Sequence, residues 1–213
     1  LKIIKSDNRV VDFKSLFFHK LLMTPEEGNF VRGIAFESRR RMIESRFGRE
    51  AFAEYMRSLS ERDPFWKQNI LATSKIPLDN FLAFNDGLLA RFYHNDIMAY
   101  WEWGRMAARW VLTEGPYRNF MKEKDLKTFI SRVLPMLWRL YFTFGSADLK
   151  IRGRRVRITL SGLPRKHPYL EYTIMGWIEE AMLVKGEKID DIRPISSGPP
   201  EVVYEFVLSR NVD

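Results

Sequence analysis

Three histidines, His19, His94 and His167, are the residues best suited to hold a metal or a haem iron, and their spacing limits that chemistry. A zinc pair needs both imidazoles on one helix face, as in His-x-x-x-His, and none of the three has a second ligand at such a distance. His94, in "FYHNDI", is the one placed to act as an axial ligand if haem is bound; its commoner role there is to end a helix. His167 precedes Pro168 and reads as a helix start. No metal site is expected.

Acid–base and nucleophilic chemistry find less support. The adjacent pairs Glu26-Glu27, Glu179-Glu180 and Asp190-Asp191 point apart, because neighbouring helical positions diverge by about 100°. Two catalytic carboxylates must instead face one cleft. Ser161-Gly162 lacks the nucleophile-elbow pattern, and there is no glycine-rich phosphate loop. The absence of cysteine removes thiol catalysis and cysteine zinc sites, and it fits a reducing, cytoplasmic setting. The chain is not expected to be an enzyme or to carry a cofactor.

Binding residues are better represented. "AYWEWGRMAARWVL", residues 99–112, carries Trp101, Trp103 and Trp110 with Arg105 and Arg109. With Trp138 and Trp177, these form either a packed core or the wall of a pocket in which Arg105 and Arg109 anchor the acid group of a small apolar ligand. A second group, Lys150, Arg152, Arg155 and Arg157, alternates with apolar residues and so shares one strand face. With 35 basic against 27 acidic residues, net charge +8, that face suits an acidic protein partner or nucleic acid. It has no aromatics for base stacking, which weighs against nucleic acid, and it equally serves to deter edge-to-edge strand pairing. The "RRR" run at 39–41 is expected in solvent.

The elements that must position these groups follow from period and punctuation. "IAFESRRRMIESRFG" reads as a helix stopped by Gly48, and "REAFAEYMRSLSERD" as another ended by Pro64. Pro77 opens a third, with Phe81, Phe84, Leu88 and Phe92 as its stripe. The tryptophan-rich helix has one narrow polar stripe, Glu102, Arg105 and Arg109, so it is central, and Gly104 with Ala108 lets a neighbour approach its backbone. Pro135 must kink or split the helix after it. Then the period changes. "ADLKIRGRRVRITLSG" is a hairpin turning at Gly153, "PYLEYTIMGWIEEAMLVKG" a helix, and "KIDDIRPIS" and "EVVYEFVLS" two strands. The expected fold is α+β: an N-terminal helical half on a small, mainly antiparallel sheet with β-β-α-β-β order. Residues 1–29 read as an extension of short strands and an amphipathic helix (Phe13, Phe17, Leu21) that serves as a dimer arm or covers a sheet edge. Residues 30–213 read as one sensor-like domain. No apolar run is long enough to span a bilayer.

Two stretches carry a resemblance, "VRGIAFESRRRMIESRFGREAF" (31–52) and "HPYLEYTIMGWIEEAMLVKGEKI" (167–189). The layout resembles the superfamily of haem-nitric-oxide-binding domains, 4-vinyl-reductase-like domains and vesicle-tethering subunits, and looks most like a paralogous domain abundant in myxobacteria. The resemblance implies a bacterial scaffold for sensing or docking, with a small molecule between helices and sheet. It departs where haem would be held: haem-binding relatives carry a proximal histidine and a Tyr-x-Ser-x-Arg clamp for the haem propionates, and around "RITLSGLPRKH" Ser161 and Arg165 stand at the wrong spacing with no tyrosine, while the cysteines often used in the 4-vinyl-reductase branch are missing. Three readings follow. The first is a non-catalytic signalling or scaffold domain acting through protein contacts and gated by a small apolar, acid-bearing ligand. The others are a nucleic-acid-binding protein using the basic hairpin, and a haem-based gas sensor.

Overall fold

In the computed structural model, which describes residues 28–198 and 201–212, the first helix runs between its two glycines. The short strand β1 (Phe30–Arg32) leads into α1 (Gly33–Phe47), which stops at Gly48, whose φ is 91°. α2 (Arg49–Arg62) ends before the 3-10 turn Pro64–Lys67, and β2 (Lys75–Pro77) returns to pair antiparallel with β1. α3 (Leu78–Tyr93) closes on His94 and α4 (Ala99–Thr113) is the tryptophan-rich helix. Of the expected extension, residues 1–27 lie outside the described residues.

Pro135 splits its helix by a particular route. A π-helical turn, Phe129–Val133, precedes α5 (Leu134–Tyr141), so Pro135 falls in the first turn of a new helix where no N–H is needed. A second π-helical turn, Tyr169–Thr173, leads into α6 (Ile174–Val184). Between and after them run β3 (Ser146–Arg152), β4 (Arg155–Ser161), β5 (Ile189–Gly198) and β6 (Glu201–Leu208). These strands form one antiparallel sheet in the order β3-β4-β6-β5, which is the expected α+β layout.

The register puts Leu149, Val156, Ile158, Leu160, Tyr204 and Phe206 on the inner face, all buried. They join Val31, Phe81, Trp103 and Phe129 in one continuous core shared by helices and sheet. Each aliphatic side chain buried there contributes about 1.5–3 kcal/mol. Glu171, in the second π-helical turn, accepts hydrogen bonds from Tyr204 and Ser197, both at 2.6 Å, and ties that turn to the sheet. Among the described residues no helix is long and apolar enough to cross a membrane.

Candidate functional site

Where α1, α5, α6 and β3 meet, the packing leaves a cavity of about 60 Å³. Its walls are mostly apolar: Ala35 from α1, Leu134, Leu137 and Trp138 from α5, Leu149 from β3, and Ile174, Trp177 and Ile178 from α6. A site that holds benzene measures about 150 Å³, and one water needs about 10–15 Å³ of such space. The space therefore suits a ligand of a few heavy atoms.

One full charge lines it. In α1 the inward positions 35, 38, 39, 42 and 43 follow helical spacing, and residue 39 is arginine. Arg39 is 1% exposed, which corrects the expectation that the 39–41 run is solvated; Arg40 and Arg41 are instead partly exposed and paired with Glu37. The Arg39 Nε donates to Asn85 Oδ1 at 3.0 Å, and the guanidinium lies 4.5 Å from the Trp103 ring centroid. Asn85 is itself buried and donates to the Phe81 carbonyl at 2.7 Å. Among the described residues no carboxylate forms an ion pair with Arg39. Burial pushes its pKa down, while the neighbouring Tyr169 phenol works the other way.

Three further polar groups on the lining residues are buried without a hydrogen-bond partner among the described residues: the Tyr141 hydroxyl, Thr173 Oγ1 and Trp177 Nε1. The Tyr141 and Trp177 rings meet edge-on with centroids 6.0 Å apart. Burial holds both the Tyr141 and the Tyr169 phenols above their ordinary pKa, so both stay protonated.

The expected ligand residues are divided by the fold. Trp138 and Trp177 line the cavity, and Trp103 stands one layer behind it, under Arg39. Trp101 donates its indole N–H to Glu179 at 2.6 Å. Arg105 Nε lies 3.1 Å from Glu180 Oε2, and Arg109 pairs with the same carboxylate, which is 1% exposed. Both arginines therefore clamp α4 to α6 and do not line the cavity. Arg39, Tyr141, Tyr169 and Thr173 escaped the sequence reading; the phase of Arg39 between Ala35 and Met42 was the signal available.

The basic strand face exists as expected. Lys150 stands opposite Arg157 and Arg152 opposite Arg155, all exposed, with Lys150 also 3.1 Å from Asp148 and Arg155 3.7 Å from Glu205. It lies on the outer side of the sheet, away from the cavity.

The residues present do not fit a haem. Among the described residues no histidine lines the cavity. His94 is an exposed left-handed cap with φ 52°. His167 has both ring nitrogens engaged, Nε2 with Asp86 Oδ2 and Nδ1 with the Tyr169 N–H, each at 3.1 Å. The cavity of about 60 Å³, with Trp138, Tyr141, Phe142 and Trp177 among its walls, is far too small for a porphyrin, since benzene alone takes a site of about 150 Å³. His19 lies outside the described residues.

Comparison with protein-family models and with curated proteins finds no match. Solved structures do match. An H-NOX protein from S. oneidensis in the Fe(II) ligation state is 12% identical, with a TM-score of 0.67 over 84% of this chain and 97% of that one. An oxygen-binding H-NOX domain related to soluble guanylate cyclases is 13% identical, with a TM-score of 0.64 over 85% and 97%. A mutant H-NOX protein from K. algicida gives 12% identity and a TM-score of 0.61 over 85% and 98%. At such identities the likeness is one of architecture, and it bears out the haem-nitric-oxide-binding part of the resemblance at that level: this chain has the fold of the H-NOX domains.

Proposed function

We propose that the protein is a non-catalytic sensor or scaffold domain on an H-NOX fold whose haem space is closed by its own aromatic side chains. It acts through protein contacts governed by a small ligand in the remaining cavity. One observation carries this reading: the cavity between helices and sheet measures about 60 Å³ and is walled by Trp138, Tyr141, Phe142 and Trp177, with no histidine among the described residues that line it. The fold supports sensing, and the residues argue against haem as the sensing group. The exposed row Lys150, Arg152, Arg155 and Arg157 is the docking face in this proposal, for an acidic protein partner in the cytoplasm.

The haem-based gas sensor is the second reading, and the fold comparisons favour it, since the similar structures include an oxygen-binding domain. It requires His94 to leave its cap and the aromatic plug to open. Purified protein mixed with stoichiometric haem decides between the two. No Soret band beyond that of free haem supports the proposal; a protein-bound Soret band that shifts with carbon monoxide or oxygen overturns it.

A further inference from the structure

The guanidinium of Arg39 is the group that the fold leaves unbalanced. An arginine cannot shed its proton inside a protein, so its charge persists in a site that is 1% exposed. Asn85 and Trp103 stabilise it, but both are neutral. Carboxylates on the surrounding elements are paired elsewhere: Asp86 with His167 and Tyr100, Glu180 with Arg105 and Arg109, Glu171 with Tyr204 and Ser197. Leaving a buried charge without a counter-charge is costly, and none is supplied among the described residues.

The unpartnered groups around the cavity sharpen the requirement. The Thr173 and Tyr141 hydroxyls are free to donate, while Trp177 Nε1, which can only donate, leans toward the Tyr141 oxygen. A cationic guanidinium with spare donors and no spare carboxylate selects an anion. The guanidinium fork matches a planar carboxylate better than a spherical ion. The apolar walls, Leu134 and Leu137 among them, favour an anion with a hydrocarbon end. A volume of about 60 Å³, under half of the about 150 Å³ that accepts benzene, suits an anion of a few heavy atoms such as acetate.

We propose that this cavity binds a small monocarboxylate, its carboxylate paired with Arg39 and its alkyl end against Leu134 and Leu137. The inference rests on the reading of the cavity as the sensing site and names the ligand class. Carboxylate release or uptake would then alter the packing of α1 against α5 and α6, the elements that the cavity joins.

The test is a titration of the intact chain with sodium acetate, matched in ionic strength by sodium chloride up to about 0.15 M, with acetamide as the neutral isostere. The Arg39 Nε–H resonance in arginine-labelled protein should shift saturably with acetate only, and Tm should rise with acetate as a ligand selective for the folded state requires. Arg39→Met keeps an unbranched side chain in the site while removing the charge, with loss of the bond to Asn85 Oδ1, and it should ignore acetate. Thr173→Val should weaken acetate binding about tenfold, the effect of losing one hydrogen bond to a charged group. An acetate response absent in the wild type, matched by chloride, or retained in Arg39→Met overturns the inference. Should Arg39→Met fail to fold, the wild-type resonance and Thr173→Val decide it. Acetate silence in a protein that also rejects haem sinks this inference alone, whereas haem uptake sinks the reading beneath it.

Discussion

Gly104 of α4 lies so close to Thr173 that a Cβ on residue 104 would stand 2.0 Å from the Thr173 carbonyl oxygen. The contact is reciprocal, since a Cβ on Gly176 would stand 2.1 Å from the Trp101 carbonyl oxygen. α4 and α6 thus cross backbone to backbone, which delivers Thr173 and Trp177 to the cavity and Glu180 to its two arginines. Gly104→Ala should force the helices apart and cost about 3 kcal/mol or more, as overpacking against a backbone atom does. Urea unfolding measures it. Met106→Ala on the exposed side of the same helix should stay within about 0.5 kcal/mol of the wild type, and equal losses at both positions would refute the close-crossing account.

Asp86 gives the fold a defined acid sensitivity. Burial pushes its carboxyl up, but hydrogen bonds from His167 and Tyr100 prevail and leave it below the usual value. A lowered folded pKa contributes stability that is complete above the unfolded value, about 3.9, and is lost as pH falls through the folded one. The stability gap between wild type and Asp86→Asn should therefore be full at neutral pH and shrink on acidification below about pH 4. Chemical denaturation across that range checks the sign; a gap that widens toward acid would contradict it.

Punctuation made the elements legible. Gly48, Pro64, Pro77 and Gly153 stop or turn the chain where their backbone preferences demand, and the alternation from Leu149 to Leu160 can only be a two-faced strand pair. The site was less legible because it is a void between elements far apart in sequence. Spacing showed that Arg105 and Arg109 share a face, but not that Glu180, on a helix some seventy residues later, would cover it. Arg39 lies within the inward stripe of α1, yet its charge and its neighbours Arg40 and Arg41 argued for solvent. The two π-helical turns differ from α-helix only in bonding five rather than four residues along the chain, a difference that hydrophobic spacing does not register. The departures from the haem pattern were plain in the sequence, because a missing clamp needs no tertiary knowledge.

Glu180 holds two cations across the crossing from a position that is 1% exposed. Glu180→Gln should keep the shape and lose the charge, leaving Arg105 and Arg109 to be solvated by water, which reaches side chains that are 35% and 64% exposed. That access limits the loss to about 1–3 kcal/mol, below what a wholly buried broken pair would cost. A double-mutant cycle with Arg105→Met should recover part of the loss as coupling. Complete additivity would mean that the ion pair does not fasten α4 to α6.

The basic face tests whether the sheet is built for a partner. Arg152 stands directly opposite Arg155, and Lys150 opposite Arg157, so like charges face each other across both pairs of the hairpin. Such pairs each cost roughly 0.2–1 kcal/mol. Arg152→Glu should replace one repulsion with an attraction and stabilise the protein by up to about 1 kcal/mol at low salt. The gain should fade toward about 1 M salt, where screening reaches within about 3 Å. The same variant should bind an acidic protein partner less well, and the wild type should not retain duplex DNA at about 0.15 M salt, where non-specific phosphate contacts are already weak. A repulsion kept at the expense of stability argues for a use outside the fold. If Arg152→Glu brings no gain, Asp148 and Glu205 already neutralise the face, and its charge ceases to be an argument for an acidic partner.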